Sequence, residues 1–255
     1  LYRESGPPYW DESACYAFTL RQIERHLEAP TAELHQMALD VVDRACRDEA
    51  ILRRLRIPEP AWESVRASWR GREPSLYGRF DFSYDGSNPA ILLEYNADTP
   101  TALYEAAVFQ WTWLEDLIAS GDLPGEADQF NSIHDKLVAR LGDLGAPRLH
   151  FAGLRDNAED ALCLDYLEDC AVQAGLATAA LDMAQIGLKD GRFVDAGDAP
   201  VETLFKLYPW EWLWAEPFGR EAAMRATRFV EPAWKAVLSN KGLLALLHEM
   251  DPRHP

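Results

Sequence analysis

Basic residues are scarce in this chain: 25 Lys and Arg stand against 42 Asp and Glu, a formal charge of −17 over 255 residues. Nucleic acids and anionic membranes are held by Lys and Arg, so this balance argues against either as a partner. It is compatible with a cationic small partner. Cysteine is sparse too. Cys15, Cys46, Cys163 and Cys170 are scattered and form no C-x-x-C pair, so a zinc site is not indicated, and a reduced, cytoplasmic setting fits best. The six histidines include no H-E-x-x-H. Walker A, dinucleotide-glycine and G-x-S-x-G motifs are all missing, which leaves zinc-hydrolase and serine-hydrolase readings without support. No apolar run reaches the roughly 18 residues of a membrane-spanning helix, and no signal peptide opens the sequence. Repeats and low-complexity segments are missing as well. With 48% hydrophobic and 26% charged residues the chain is globular, long enough for one large or two ordinary domains.

What is present concentrates between Gly78 and Thr101, GRFDFSYDGSNPAILLEYNADTPT. Arg79 and Asp81 are two apart, as are Glu94 and Asn96. On paired strands each couple shares a face, while Phe80, Phe82, Leu93 and Tyr95 face a core. Asp85-Gly86-Ser87-Asn88 is a turn signal. An even loop opposes Arg79 to Glu94 and Asp81 to Leu92, and gathers all four polar groups on one face. An odd loop would separate them. Diagonal neighbours in such a ladder lie about 7–8 Å apart, a span that one hydrated cation bridges. Two readings are open on the residues alone: a metal-binding face, or a salt bridge on a solvated sheet surface.

Residues 1–75 read as helical. Tyr16, Leu20, Ile23 and Leu27 recur at helical spacing. Pro30-Thr31 breaks that helix, and Thr31 caps a second with Leu34, Ala38, Val41, Val42 and Ala45 inward. Pro58 and Pro60 open a third, with Trp62, Val65 and Trp69 on one face. After the hairpin, Thr99-Pro100 reads as an N-cap followed by Pro at the first helical position, starting a helix through Leu103, Ala107, Trp111 and Leu114. Its free N–H groups favour an anion beside the carboxylate face; an ordinary capped helix is the alternative. The stripe Phe109, Trp111, Trp113 reads as core. Asn131 starts a helix carrying Ile133, Leu137 and Leu141.

From Arg148 the texture changes. Leu149 to Leu154, a helix from Ala158 to Ala174 ended by Gly175, and Ala177 to Leu181 form a β-α-β unit with parallel strands. Ile186 to Val194, turning at Lys189-Asp190-Gly191, is a small hairpin. Leu204 to Tyr208 is a strand carrying Lys206, which reads either as a lysine snorkelling from an edge or as a buried amine facing a cleft at the strand's end. Glu231 to Lys235 reads as extended. Ser239-Asn240-Lys241 opens a last helix with Leu243, Leu244, Leu247 and Met250 inward. A lysine at a helix start opposes the macrodipole unless phosphate is held there. The chain begins at Leu1 rather than Met and stops at His254-Pro255 just after this helix, which reads as a fragment.

Several runs then carry a resemblance over nearly the whole chain. They are Tyr9-Trp10, Thr31 to Met37 (TAELHQM), Arg56-Ile57-Pro58, Gly78 to Asp81 (GRFD), Leu93 to Thr101 (LEYNADTPT) and Gln110 to Asp116 (QWTWLED). Phe205 to Glu211 (FKLYPWE), Glu231 to Lys235 (EPAWK) and Ser239-Asn240-Lys241 complete the set. Together they resemble the synthetase domain of the glutathionylspermidine synthase family, most closely its short bacterial acid–amine ligase branch. The resemblance implies an α/β (mixed α+β) fold, a permuted ATP-grasp ligase of glutathione-synthetase-like type with a Rossmann-like pre-ATP-grasp subdomain. Residues 1–145 would form a helical part with the hairpin that carries the metal and acid-substrate face, 146–230 the βαβ subdomain, and 231–255 the start of the nucleotide-binding part.

The implied activity is ATP- and Mg²⁺-dependent joining of a carboxylate to an amine through an acyl phosphate. The resemblance assigns Mg²⁺ to Asp81, Glu94 and Asn96, oxygen donors of the kind that ion prefers. It gives Arg79 the transferring phosphoryl group and the tetrahedral intermediate, where a guanidinium fork suits phosphate oxygens. Thr99 and Thr101 fall beside the acid substrate, Lys241 matches a nucleotide-phosphate lysine, and Lys206 has no assigned role. The amidase domain of longer members has no counterpart here. The family's chain continues past the position of Pro255 with a second nucleotide lysine, a phosphate loop and most of the adenine pocket, so the chain as given is expected not to turn over. Two other readings stand beside this one: a non-catalytic module of the same fold that binds a peptide or polyamine, and a kinase- or phosphatase-like enzyme using the same metal face.

Overall fold

The computed structural model describes residues 14–254; the Tyr9-Trp10 pair lies outside them. Its centre is a parallel sheet of four strands. β1 and β2 belong to the separate hairpin, Arg79–Ser83 and Ile91–Asn96, and the sheet is built from β3 (Arg148–Gly153), β4 (Ala177–Asp182), β7 (Thr203–Leu207) and β8 (Arg228–Val230) in the order β4-β3-β7-β8. β5 (Gly187–Lys189) and β6 (Arg192–Val194) form the small hairpin, which turns on Asp190 and Gly191, both at positive φ. β3 and β7 are covered on both faces, which is why they read as near-continuous apolar runs. Leu149, Phe151, Phe205, Leu207 and Val230 face one core with Leu137, Leu164 and Leu167. Ala152, Leu204 and Phe229 face the other, with Val42, Val65, Leu213 and Val237. The chain leaves β3 for β4 on one side and returns to β7 on the other. The sheet therefore has a switch point between β3 and β7, the kind of place at which open α/β sheets bind ligands.

The core beneath Ala152, Leu204 and Phe229 is completed by the N-terminal helices. A short turn, α1 (Leu20–Gln22), runs through a π-helical stretch (Ile23–Glu28) into α2 (Ala29–Arg47) without a break, so Pro30 does not end the helix as the sequence pattern predicts. Proline removes one N–H and crowds the carbonyl four residues back. That carbonyl belongs to His26, and it accepts instead from the Ala90 N–H at 2.9 Å. Thr31 is not a cap: its hydroxyl donates to the Leu27 carbonyl at 2.6 Å. Leu34, Ala38, Val41, Val42 and Ala45 are buried as their spacing predicts. α3 (Glu49–Arg54), capped by Asp48, and α4 (Trp62–Arg70), with Trp62 and Val65 buried, follow.

The hairpin register differs from the expected one by two residues. Arg79 opposes Asn96, Asp81 opposes Glu94 and, past a bulge, Phe82 opposes Leu92. The loop closed by Ser83 and Ile91 is odd, not even as expected, and by itself would separate the polar pairs. The bulge adds a second residue of shift, and the net shift of two at the polar residues keeps all four on one face. Leu93 is the extra residue of the bulge; it is 54% exposed rather than core. No helix starts at Pro100. Ala102 takes a positive φ, a π-helical stretch spans Glu105–Phe109, and α5 covers Gln110–Ser120. Trp111 is 43% exposed rather than core, whereas Leu103 and Leu114 are buried.

Helix α6 (Ile133–Gly142) and the crossover helix α7 (Ala158–Gln173) cover the second face of the sheet. Helix α8 is Trp210–Ala215, α9 is Lys235–Leu238 and α10 is Leu243–Met250. Glu231 to Trp234 is a turn, not an extended run, because the Lys235 N–H closes onto the Pro232 carbonyl at 3.0 Å. Leu243 and Leu247 of α10 are buried as expected, with Leu246 rather than Leu244 as the third. Among the described residues no helix is long and apolar enough to cross a membrane.

Two tests follow from the hairpin. A Cβ at Gly78 would lie 2.8 Å from Cε2 of Tyr95, a buried ring stacked on Phe80 at 4.0 Å. Gly78→Ala should therefore cost about 1–3 kcal/mol of overpacking strain in urea unfolding. Asp85 accepts from the Asn88 side-chain amide and from the backbone N–H groups of Asn88 and Ser87, bonds that hold its pKa down to about 2. The folded value lies below the ordinary 3.8, so the contribution of this loop is complete above 3.8 and is lost as pH falls through about 2. An NMR titration of the Asp85 carboxyl should show that midpoint, and Asn88→Ala should raise it.

Candidate functional site

The polar face of the hairpin is an ion-pair array. The Arg79 guanidinium donates to both oxygens of Asp81, at 2.7 and 3.2 Å. Its remaining nitrogen reaches the Thr101 carbonyl at 3.1 Å and the Thr101 hydroxyl at 3.4 Å. Hydrogen bonding to Asp81 raises the Arg79 pKa further, so its charge is permanent. Across the ladder from Asp81 stands Glu94, and Lys241 reaches it from the start of α10 at 2.5 Å. Two carboxylates directly opposite each other repel, and each is neutralised by a cation from a different part of the chain. Asn96 opposes Arg79 and points its amide towards the Thr99 carbonyl at 3.5 Å. Of the residues expected at the site, Arg79, Asp81, Glu94, Asn96, Thr101 and Lys241 are thus brought together, with Thr99 joined through its carbonyl. Lys241 is 76% exposed.

The donors fit a hard divalent cation. They are two facing carboxylates and an amide, all oxygen, on one half-exposed face. Mg²⁺ is held by one or two carboxylates, with water and ligand oxygens completing its shell. Among the described residues no group of three or more His, Cys, Asp and Glu is placed to hold a metal ion, so Asn96, water and ligand would have to supply the rest.

Lys206 lies elsewhere; of its two sequence readings the snorkelling edge lysine fails, and the buried amine is met in its burial. It is on β7, an internal strand, and its side chain is 0% exposed. Its ammonium donates to Asp98 Oδ1 at 2.6 Å and to the Tyr208 carbonyl at 2.9 Å, and sits 4.4 Å over the Trp210 ring. Burial pulls its pKa down and Asp98 opposes that pull. The other Asp98 oxygen accepts the Trp210 N–H at 2.7 Å. A second buried pair lies nearby. Glu231 and Lys235 meet at 2.7 Å; Glu231 accepts the N–H groups of Leu76 and Tyr77, and Lys235 donates to Ser75 Oγ and the Tyr77 carbonyl. The sequence reading passed over Asp98, Glu231 and Lys235 as site components. Their only local signal is opposite charge at i,i+4 flanking apolar Pro-Ala-Trp, and an acid inside an N-A-D-T-P-T turn.

The fold and this face define a mixed α/β protein whose polar hairpin is tied to the carboxyl end of a parallel strand. The family model for the glutathionylspermidine synthase preATP-grasp domain matches residues 2–255. The chain therefore belongs to that family. A Haemophilus influenzae protein described as a "Putative acid--amine ligase" is 43% identical over 262 residues, which cover 100% of this chain and 65% of that protein. The bifunctional glutathionylspermidine synthetase/amidase of Escherichia coli K12 is 26% identical over 258 residues, covering 91% of this chain and 41% of that one. A solved "Putative gamma-glutamylcysteine synthetase" from Methylobacillus flagellatus gives a TM-score of 0.43 at 11% identity, over 75% of this chain and 43% of that one. A likeness that loose carries no argument. The chain spans 65% and 41% of the lengths of the two sequence relatives.

Lys235→Met leaves the Glu231 carboxylate buried without its partner. It should destabilise the fold by about 3–5 kcal/mol in urea unfolding, and adding Glu231→Gln should recover most of that loss.

Proposed function

We propose that this chain carries the metal and acid-substrate face of an ATP- and Mg²⁺-dependent carboxylate–amine ligase, glutathionylspermidine-synthase-like, in the cytoplasm. The observation that carries the reading is the convergence of Arg79, Asp81, Glu94 and Asn96 of the hairpin, Thr101 of the turn after it and the distant Lys241 onto one face, in a chain whose family is that of acid–amine joining enzymes. Its four cysteines are unpaired, in keeping with a reducing compartment. In this reading residues 1–145 hold the substrate face, 146–230 the βαβ subdomain and 231–255 the start of the nucleotide-binding part.

The carboxylate substrate attacks the terminal phosphorus of ATP, ADP leaves, and an acyl phosphate forms. The amine then attacks the acyl carbon, and phosphate departs with one of the original carboxylate oxygens. Asp81, Glu94 and Asn96 would hold Mg²⁺, whose charge offsets that of the phosphates. Arg79, always charged and anchored on both sides, stabilises negative charge on the transferring group and on the tetrahedral intermediate. Lys241 exchanges Glu94 for a nucleotide phosphate, and Thr99 and Thr101 bind the acid. The charge of −17 favours a cationic amine such as a polyamine.

The test is isotopic. A carboxylic acid labelled with ¹⁸O should give labelled inorganic phosphate when the full-length protein is supplied with ATP, Mg²⁺ and an amine, and Arg79→Ala should abolish that transfer. Unlabelled phosphate alongside amide formation would exclude the acyl phosphate.

A further inference from the structure

The Arg79 guanidinium is anchored at two places, and a buried ion pair stands behind each. One anchor is its own strand, entered through Ser75, Leu76 and Tyr77. Those three residues are held by the Glu231–Lys235 pair: the carboxylate takes two backbone N–H groups, and the ammonium takes the Ser75 hydroxyl and the Tyr77 carbonyl. The other anchor is Thr101, at the end of the turn from Ala97. That turn is fixed at three points. Ser239 Oγ accepts the N–H groups of Ala97 and Asp98 at 2.7 and 2.6 Å. Asp98 is gripped by Lys206 and the Trp210 N–H. The Pro100 carbonyl accepts from the Tyr77 hydroxyl at 2.8 Å, which joins the two anchors.

We infer that Asp98 and Glu231 are positioning residues for Arg79, locked by Lys206 and Lys235, and that the two buried pairs exist to hold the guanidinium in one orientation. The inference rests on the proposed role of Arg79 in charge stabilisation. It gives Lys206, which has no contact with the polar face, a function through Asp98. Each ammonium has three partners for its three N–H bonds: Lys206 the Asp98 carboxylate, a carbonyl and an indole face, Lys235 the Glu231 carboxylate, a hydroxyl and a carbonyl. A fully partnered buried charge has one low-energy geometry, whereas an apolar contact tolerates sliding. Fixed orientation is what a charge-stabilising arginine requires, since misplacement by about 1 Å can cost on the order of 10²-fold in rate.

The test separates positioning from bulk stability. In Asp98→Asn/Lys206→Met both charges are removed together, so neither is left unpaired and the melting temperature should stay near wild type. Arg79, in protein labelled with ¹⁵N-arginine and identified by the signals lost in Arg79→Lys, should show separate Nη resonances in wild type because its rotation about Cζ–Nε is restrained. These should collapse to one in the double variant, and in the full-length enzyme kcat should fall roughly 10²-fold with KM little changed. Separate resonances that persist in a folded double variant would overturn the inference. Should that variant not fold, Ser239→Ala, which removes only the acceptor of the Ala97 and Asp98 N–H groups, must broaden the same signals, and unchanged signals would overturn it equally. If the resonances collapse while the wild-type protein shows no ligase activity, the positioning stands and the ligase reading falls.

Discussion

Two ammonium groups, Lys206 and Lys235, lie buried with their carboxylate partners where the parallel sheet meets the hairpin, and the polar face depends on them. Taking a charge out of water costs several kcal/mol per ion even after relaxation, by about the amount its partners must return. Here the return is complete in geometry, because every N–H of both ammonium groups has an acceptor or a ring beneath it. The consequence is directional. Asp98 ties the turn after β2 to the carboxyl end of β7 and to the first N–H of α8, while Glu231 ties the approach to β1 to the end of β8. A two-stranded hairpin has little stability of its own. This one is held at both ends by the larger body.

The outer charges behave differently. Arg79–Asp81 and Lys241–Glu94 are partly or largely in water, and such pairs contribute little to stability. Their value lies in availability. In the proposed reaction the carboxylate neutralised by the exposed lysine would exchange that lysine for a metal ion, and the lysine would turn to an anion, without either charge being left alone. The buried pairs thus supply rigidity and the exposed pairs supply exchange, and Arg79 stands between them with one edge on Asp81 and the other on Thr101.

Much of this was legible in the chain because it is governed by short periods. The inward stripe of α2, the β-α-β unit ended by Gly175 and the strand holding Lys206 follow from spacings of about 3.6 or 2 residues. The common face of Arg79, Asp81, Glu94 and Asn96 was legible too, but it survives an odd loop only because the bulge at Leu93 makes the net shift two residues and returns each side chain to the same side. At three of the failures a distant group intervenes. Pro30 reads as a break because the partner of the His26 carbonyl is Ala90, far along the chain. Pro100 reads as a helix start, but Tyr77 and Ser239 hold that segment in a turn. Glu231 to Lys235 reads as extended, yet the two charges curl the segment onto residues 75–77.

The sequence by itself determined the class of the fold, the side of the hairpin on which the charges gather and, through its motifs, the family. Periodicity and residue type are local properties and need no knowledge of what packs above. Tertiary structure alone decided between the two readings of Lys206, buried Lys235 beside Glu231, brought Lys241 to Glu94 and braced Arg79 from two directions. The ties of Lys206 to Asp98, of Lys235 to Ser75 and of Lys241 to Glu94 each join groups more than a hundred residues apart. Whether a charge is paired, solvated or stranded depends on the field of its final neighbours, which only the folded chain assembles.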